Sequence, residues 1–285
     1  MATKLIKKFR TKKQRIAKLK KLKAENPFFL DYIKTIDALN EEYYVTKLAI
    51  QGLVALREEL KSQKPFSLEI EIPSVNGNET KKEKDKSKIV DILKRSIKND
   101  LYANSIGSGV SLIEKYLEEI IRTVLKMHPG KLSVDIGYSS KKESQEERKI
   151  DLKDIIVAKS LEEIYMTIIN QRLYKLFYAS PKDYFKYLNE IIHIKLEEDL
   201  VLTYIEIKST RDLIVHNKGK VNSIYVQKAG SKARATDSRQ NIPITEQYYI
   251  QSFSAFKKIV RDTYEIASKE YLKITNKADL YASIK

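Results

Sequence analysis

The chain has 285 residues, with 54 Lys and Arg against 38 Asp and Glu, a net charge of +16. It has no cysteine and only three histidines, His128, His193 and His216, which excludes disulfide frameworks, thiol nucleophiles and iron–sulfur clusters and argues against a zinc or His-rich site, so no metal or other cofactor is expected. With 8 Gly and 6 Pro the chain is too poor in turn formers for an all-β fold, and helices are expected to dominate.

Residues 1–23 hold eleven Lys and Arg and no acid, which leaves only +5 for the other 262 residues. Leu5, Phe9, Ile16 and Leu19 recur at helical spacing, so this segment can form a helix with a narrow apolar stripe. Three uses fit it: a solvated helix docked by its stripe, an arm that neutralises the phosphates of a polyanion, or a contact with an anionic membrane surface. In the polyanion reading Lys7, Lys8, Arg10, Lys12 and Lys13 grip RNA. No run approaches the ~18 apolar residues of a membrane span, and basic residues interrupt every candidate signal core, so a cytoplasmic protein is expected.

A helix is predicted over 28–62, where Val45, Leu48, Ala49, Leu53, Leu56 and Leu60 keep helical spacing. FSLEIEI, 66–72, alternates between Pro65 and Pro73 and reads as a strand. Residues 74–88 are polar and charge-rich and read as a linker or exposed loop, followed by a short helix over 89–99. The clearest helix runs from about Ser108, with GSG at 107–109 as its entry, to Met127, and His128-Pro129-Gly130 closes it. KLSVDIG, 131–137, reads as extended, and a charged loop follows to 150. Helices are then predicted over about 151–179 and, opened by Pro181, over 181–195. Six aromatics between Tyr174 and Tyr187 suit helix packing better than base stacking, and His193, between Ile192 and Ile194, reads as a packed, hydrogen-bonded histidine.

In the helix starting at Glu198, Leu200, Tyr204, Ile207 and Ile214 form an apolar stripe, and its missing step is Arg211. A guanidinium there costs several kcal/mol unless it is paired or faces a cleft or partner. Asp212 follows it, and His216 and Asn217 stand in the last turn before Lys218 and Gly219, where the helix dipole favours a protonated ring. Two readings stay open on spacing: an Arg buried against a carboxylate with an exposed terminal His, or a functional Arg–His pair. Downstream, VNSIYVQ, 221–227, reads as extended, and Lys228, Lys232, Arg234 and Arg239 make a basic loop, either solvated or gripping phosphate. A last long helix is predicted over about 244–272.

RDLIVHNKG, Arg211 to Gly219, resembles the Arg-x4-His signature of HEPN domains, the higher eukaryote and prokaryote nucleotide-binding superfamily. Asp212 matches the polar residue that typically follows the Arg, and His216-Asn217 the common His-Asn continuation. SLIEKYLEEII, 111–121, resembles the first bundle helix of that family, and the likeness spans roughly 101–275. It implies a mainly α, HEPN-like helical bundle over 101–285, behind a basic helical region (1–64) and a strand, linker and connecting helix (65–100). It further implies a metal-independent endoribonuclease, often of a toxin–antitoxin or anti-phage system, acting on RNA as a homodimer or higher oligomer, with an antitoxin or second defence protein as partner. The implied site is Arg211, His216, Asp212 and Asn217, with Lys218, Lys232 and Arg234 as RNA contacts. The alternative is a non-catalytic HEPN-like module that binds RNA or scaffolds a protein complex.

Overall fold

A central helix buried along most of its length organises the bundle. The computed structural model describes residues 26–75, 79–133 and 157–273. In chain order the elements are α1 (Phe29–Ser62), β1 (Ser67–Pro73), β2 (Glu79–Asp85), α2 (Lys86–Arg95), a π-helical turn (Ser96–Asp100), α3 (Leu101–Met127), α4 (Leu161–Tyr178), α5 (Pro181–Glu190), α6 (Glu198–Asn217), α7 (Ser223–Ala229) and α8 (Glu246–Leu272). Helix α3 is the hub. Its buried side chains, from Tyr102 through Ile113, Leu117 and Ile121 to Leu125, meet α1, α4, α6 and α8. The molecule is a mainly α helical bundle, and among the described residues the sheet is one antiparallel pair, β1 with β2.

Close approach of α3 and α8 depends on Gly109. A Cβ built there would stand 2.4 Å from the edge of the Phe256 ring, which is fully buried. Gly109→Ala should gain about 1 kcal/mol of helix propensity and lose about 1–3 kcal/mol to overpacking. The expected net result is a lower melting temperature, and a raised one would show slack in this crossing.

Several expectations from the sequence need correction. Half of the expected linker over 74–88 is strand β2: its residues carry almost no apolar side chains, but their backbone pairs with β1, and Lys81 meets Glu69 across the ribbon at 2.8 Å. The short helix starts earlier, at Lys86, because Asp85 caps it by accepting the Lys88 N–H at 2.9 Å. It then runs through the π turn into α3, so GSG lies inside α3 and not at its entry. Residues 131–133 belong to a 3-10 turn; the rest of the predicted extended piece and charged loop, and 151–156 of the next helix, lie outside the described residues. Helix α4 starts at Leu161, capped by Ser160. Helix α5 stops at Glu190, and His193 is exposed at φ 56°, where the chain turns and Ile194 N–H reaches back to the Leu188 carbonyl at 2.7 Å. VNSIYVQ is not extended: Asn222 caps helix α7 by accepting the Tyr225 N–H at 2.9 Å.

The aromatics of 174–187 divide into two groups. Tyr184, Phe185 and Tyr187 are buried and Phe177 packs against them, as expected for core. Tyr174 and Tyr178 remain outside, stacked on each other at 5.7 Å beside a cleft that Glu118, Arg122 and Asn170 also line. Residues 1–23, with Lys7, Lys8, Arg10, Lys12 and Lys13, lie outside the described residues. Among the described residues no helix is long and apolar enough to cross a membrane.

Candidate active site at the end of helix α6

Helix α6 spans Glu198–Asn217, with Glu198 and Asp199 in its positive first turn and His216 in its negative last turn. It ends where Lys218 and Gly219 take φ of 52° and 76°, and both their N–H groups donate to the Leu213 carbonyl. The segment beyond is pinned to residues 240–242: Val221 N–H donates to the Gln240 carbonyl at 3.0 Å, and Ile242 N–H to that of Gly219 at 2.8 Å. These bonds fix the direction in which the last turn meets solvent.

Arg211 lies at the border of core and solvent. Its side chain is 31% exposed, passes Gly107 of α3, and donates to the Asp212 carboxylate at 3.1 Å. The paired-Arg reading of the stripe therefore holds only in part, because the guanidinium still reaches water. His216 is exposed, and among the described residues no hydrogen bond or ion pair engages its ring. Residues five apart on a helix differ by ~140° in direction, so Arg211 and His216 leave α6 on different sides. Behind Arg211 lies a buried polar layer. Tyr184 and Tyr204 meet edge to face at 6.4 Å, and burial, reinforced by the negative charges of Glu114 and Asp212, pushes both hydroxyls well above their usual range. Lys208 pairs with Glu114 across α6 and α3.

The other expected site residues have local duties. The Asn217 amide donates to the Lys220 carbonyl at 2.6 Å, which shapes the turn after the helix. Lys218 is exposed beside His216, while Lys232 bridges back to Asp199 at 2.6 Å. Arg234 departs from the expected surface contact. It points inward, where Nε donates to Glu206 at 2.9 Å, one terminal nitrogen to Thr210 at 3.1 Å, and the guanidinium covers the Tyr248 ring at 3.4 Å.

Glu206 was missed by sequence reasoning. Its carboxylate is 3% exposed and accepts from Thr210 at 2.8 Å, Tyr225 at 2.8 Å, Arg234 at 2.9 Å and Tyr248 at 2.9 Å. Burial pushes the Tyr225 hydroxyl up to about 12 and the Tyr248 hydroxyl further still. The cluster fastens α6, α7, α8 and the intervening loop together one turn and a half before Arg211. The available signal was position: Glu206, Thr210 and Leu213 share one buried face of α6.

Among the described residues no three His, Asp or Glu side chains are grouped to hold a metal ion. No family model matches the sequence, and no curated protein or solved structure shows significant similarity to the chain.

Proposed function

We propose that this protein is a metal-independent endoribonuclease of the HEPN type, acting in anti-phage defence or as a toxin-type effector. The observation that carries the proposal is the last two turns of α6, where a solvent-reaching Arg211 held by Asp212 precedes an open His216. The net charge of +16 supports a polyanionic substrate.

In this reading the substrate's own 2′-OH attacks the adjacent phosphorus, the P–O5′ bond breaks, and the products carry a 2′,3′-cyclic phosphate and a 5′-OH. His216 removes the 2′-OH proton in one protomer, and its counterpart in the second protomer protonates the leaving 5′ oxygen, since imidazole alone has an ordinary pKa near neutrality. Arg211 donates to the phosphate oxygens as charge builds on them, a task its planar fork suits. Asp212 orients that fork and Asn217 holds the turn that presents His216. Because Arg211 and His216 diverge around one helix, a twofold arrangement that brings two α6 ends to one cleft supplies a complete set. The scaffold reading draws on the same geometry: among the described residues of one chain no second acid or base engages His216.

The test uses the purified protein, EDTA and RNA. New ends bearing 2′,3′-cyclic phosphate are expected. A single 2′-deoxy residue at the cut site should block that cut completely, and DNA of the same sequence should survive. Cutting at the deoxy site would make water the nucleophile and end the proposal, and intact RNA under all conditions would favour the scaffold.

A further inference from the structure

The cleft between α3 and α4 holds groups that the α6 end does not use. Its volume is about 460 Å³, and it is lined by Glu118 and Arg122 of α3 and by Asn170, Tyr174, Phe177 and Tyr178 of α4. That size falls within the ~300–1,000 Å³ of small-molecule sites. The four α4 residues lie within ~100° of the helix circumference and so form one wall. Phe177 is fixed from behind by its stack on the buried Tyr184 at 5.1 Å. Tyr174 and Tyr178 are 70% and 82% exposed, with their rings stacked at 5.7 Å. Rings left this far in water add little to the core, and a flat ligand laid on them recovers the burial they lack.

The floor of the cleft is polar. Arg122 donates to the Glu118 carboxylate at 2.5 Å and to the Asn170 amide oxygen, and its Nε stands 3.6 Å from Glu119. With that oxygen engaged, the Asn170 amide nitrogen remains as a donor and the second Glu118 oxygen as an acceptor; among the described residues no hydrogen bond takes up either. A donor and an acceptor beside an aromatic wall match an unpaired nucleobase, which offers a face for stacking and an edge for hydrogen bonds. The carboxylate selects within that class. The amino groups of adenine, cytosine and guanine donate to it, whereas uracil flanks its single N–H with two carbonyl oxygens that a carboxylate repels.

The same face of α3 meets a phosphate backbone. Lys115 and Lys126 are exposed, fall with Arg122 within ~40° of the circumference, and stand ~16 Å apart along the axis. Glu118 and Glu119 take up Arg122, so the two lysines supply the charge for phosphates. Gly107, which the Arg211 side chain passes, lies within ~60° of Arg122 and ~22 Å back along α3, so the cleft and the α6 end share one side of the hub helix.

We propose that the α3–α4 cleft is a base-binding subsite for single-stranded RNA, in which Tyr174 and Tyr178 are the stacking platform and Glu118 and Asn170 read the edge of an amino-bearing base. The inference rests on the RNA reading for its polymer, and it holds whether the end of α6 cuts RNA or only binds it.

The test is equilibrium binding of the full chain to fluorescent 2′-O-methyl oligonucleotides, which lack a free 2′-OH and so report binding without cleavage. Oligoadenylate should bind about tenfold tighter than oligouridylate. The double variant Tyr174→Ala with Tyr178→Ala should weaken oligoadenylate binding about tenfold or more, the low end for a lost base stack, and leave the salt dependence unchanged, because a ring releases no counterions. Both rings are exposed, so circular dichroism should match the wild type. Glu118→Gln should narrow the adenine–uracil difference, since an amide donates to a uracil carbonyl. Lys115→Ala with Lys126→Ala should flatten the salt dependence and keep the base preference. Three results overturn the proposal: equal binding of the two oligonucleotides by the wild type, unchanged affinity in the tyrosine double variant, or a base preference that Glu118→Gln leaves intact. None of them touches the cleavage assay, which reads the α6 end separately.

Discussion

Replacing either Arg211 or His216 with alanine should lower RNA cleavage by at least ~100-fold, the low end for a positioned acid–base group or a transition-state donor. The fold should survive, because Arg211 is one-third exposed and His216 lies in the open last turn, so neither removes apolar core. Far-UV circular dichroism and melting temperature matching the wild type would confirm that. Arg211→Lys separates charge from geometry: it keeps the charge but loses the planar fork, and most of the activity should go with it. Full cleavage by His216→Ala would remove the acid–base assignment. Selective loss in His216→Ala with retained RNA binding would instead place its action on the chemical step.

The reading of α6 from sequence was accurate because its signals are local. Acidic residues open the helix, an apolar stripe runs through it and Gly219 follows it, and the observed bounds are Glu198–Asn217. The same local logic found α3, α8 and the strand β1. It failed where distant groups decide. Helix α7 carries Ile224, Tyr225 and Val226, a strand-like composition, yet the Asn222 cap and the burial of Tyr225 against Glu206 make it helical. Strand β2 has nothing but backbone pairing to reveal it. On α1 the periodic run was legible as helix, but periodicity does not say which side faces the core: Val45, Leu48 and Leu56 of that run are exposed, and the buried positions are Phe29, Leu39, Thr46, Ile50 and Leu60. For the candidate site, the Arg–His pair was legible and its support was not. Arg234 looks like one more cation in a basic loop until Glu206, 28 residues earlier, is placed beside it.

That support predicts a second large effect. Glu206→Ala removes the only carboxylate facing Arg234 among the described contacts, and leaves the Tyr225 and Tyr248 hydroxyls without their shared acceptor. Breaking one side of a buried charge pair typically costs about 3–5 kcal/mol. Glu206→Ala should therefore lower the urea midpoint strongly or prevent accumulation of folded protein. Arg234→Ala leaves the carboxylate buried without its cation and should cost a similar amount. Tyr248→Phe removes one hydroxyl donor to the carboxylate and leaves the ring under Arg234, so about 1.5–3 kcal/mol is expected. The double variant Glu206→Leu with Arg234→Met should be less harmful than either single truncation, because it removes both charges and keeps apolar volume. Additive losses in that double variant would mean the two groups act separately, and the cluster would not be the fastening that holds the loop against α6.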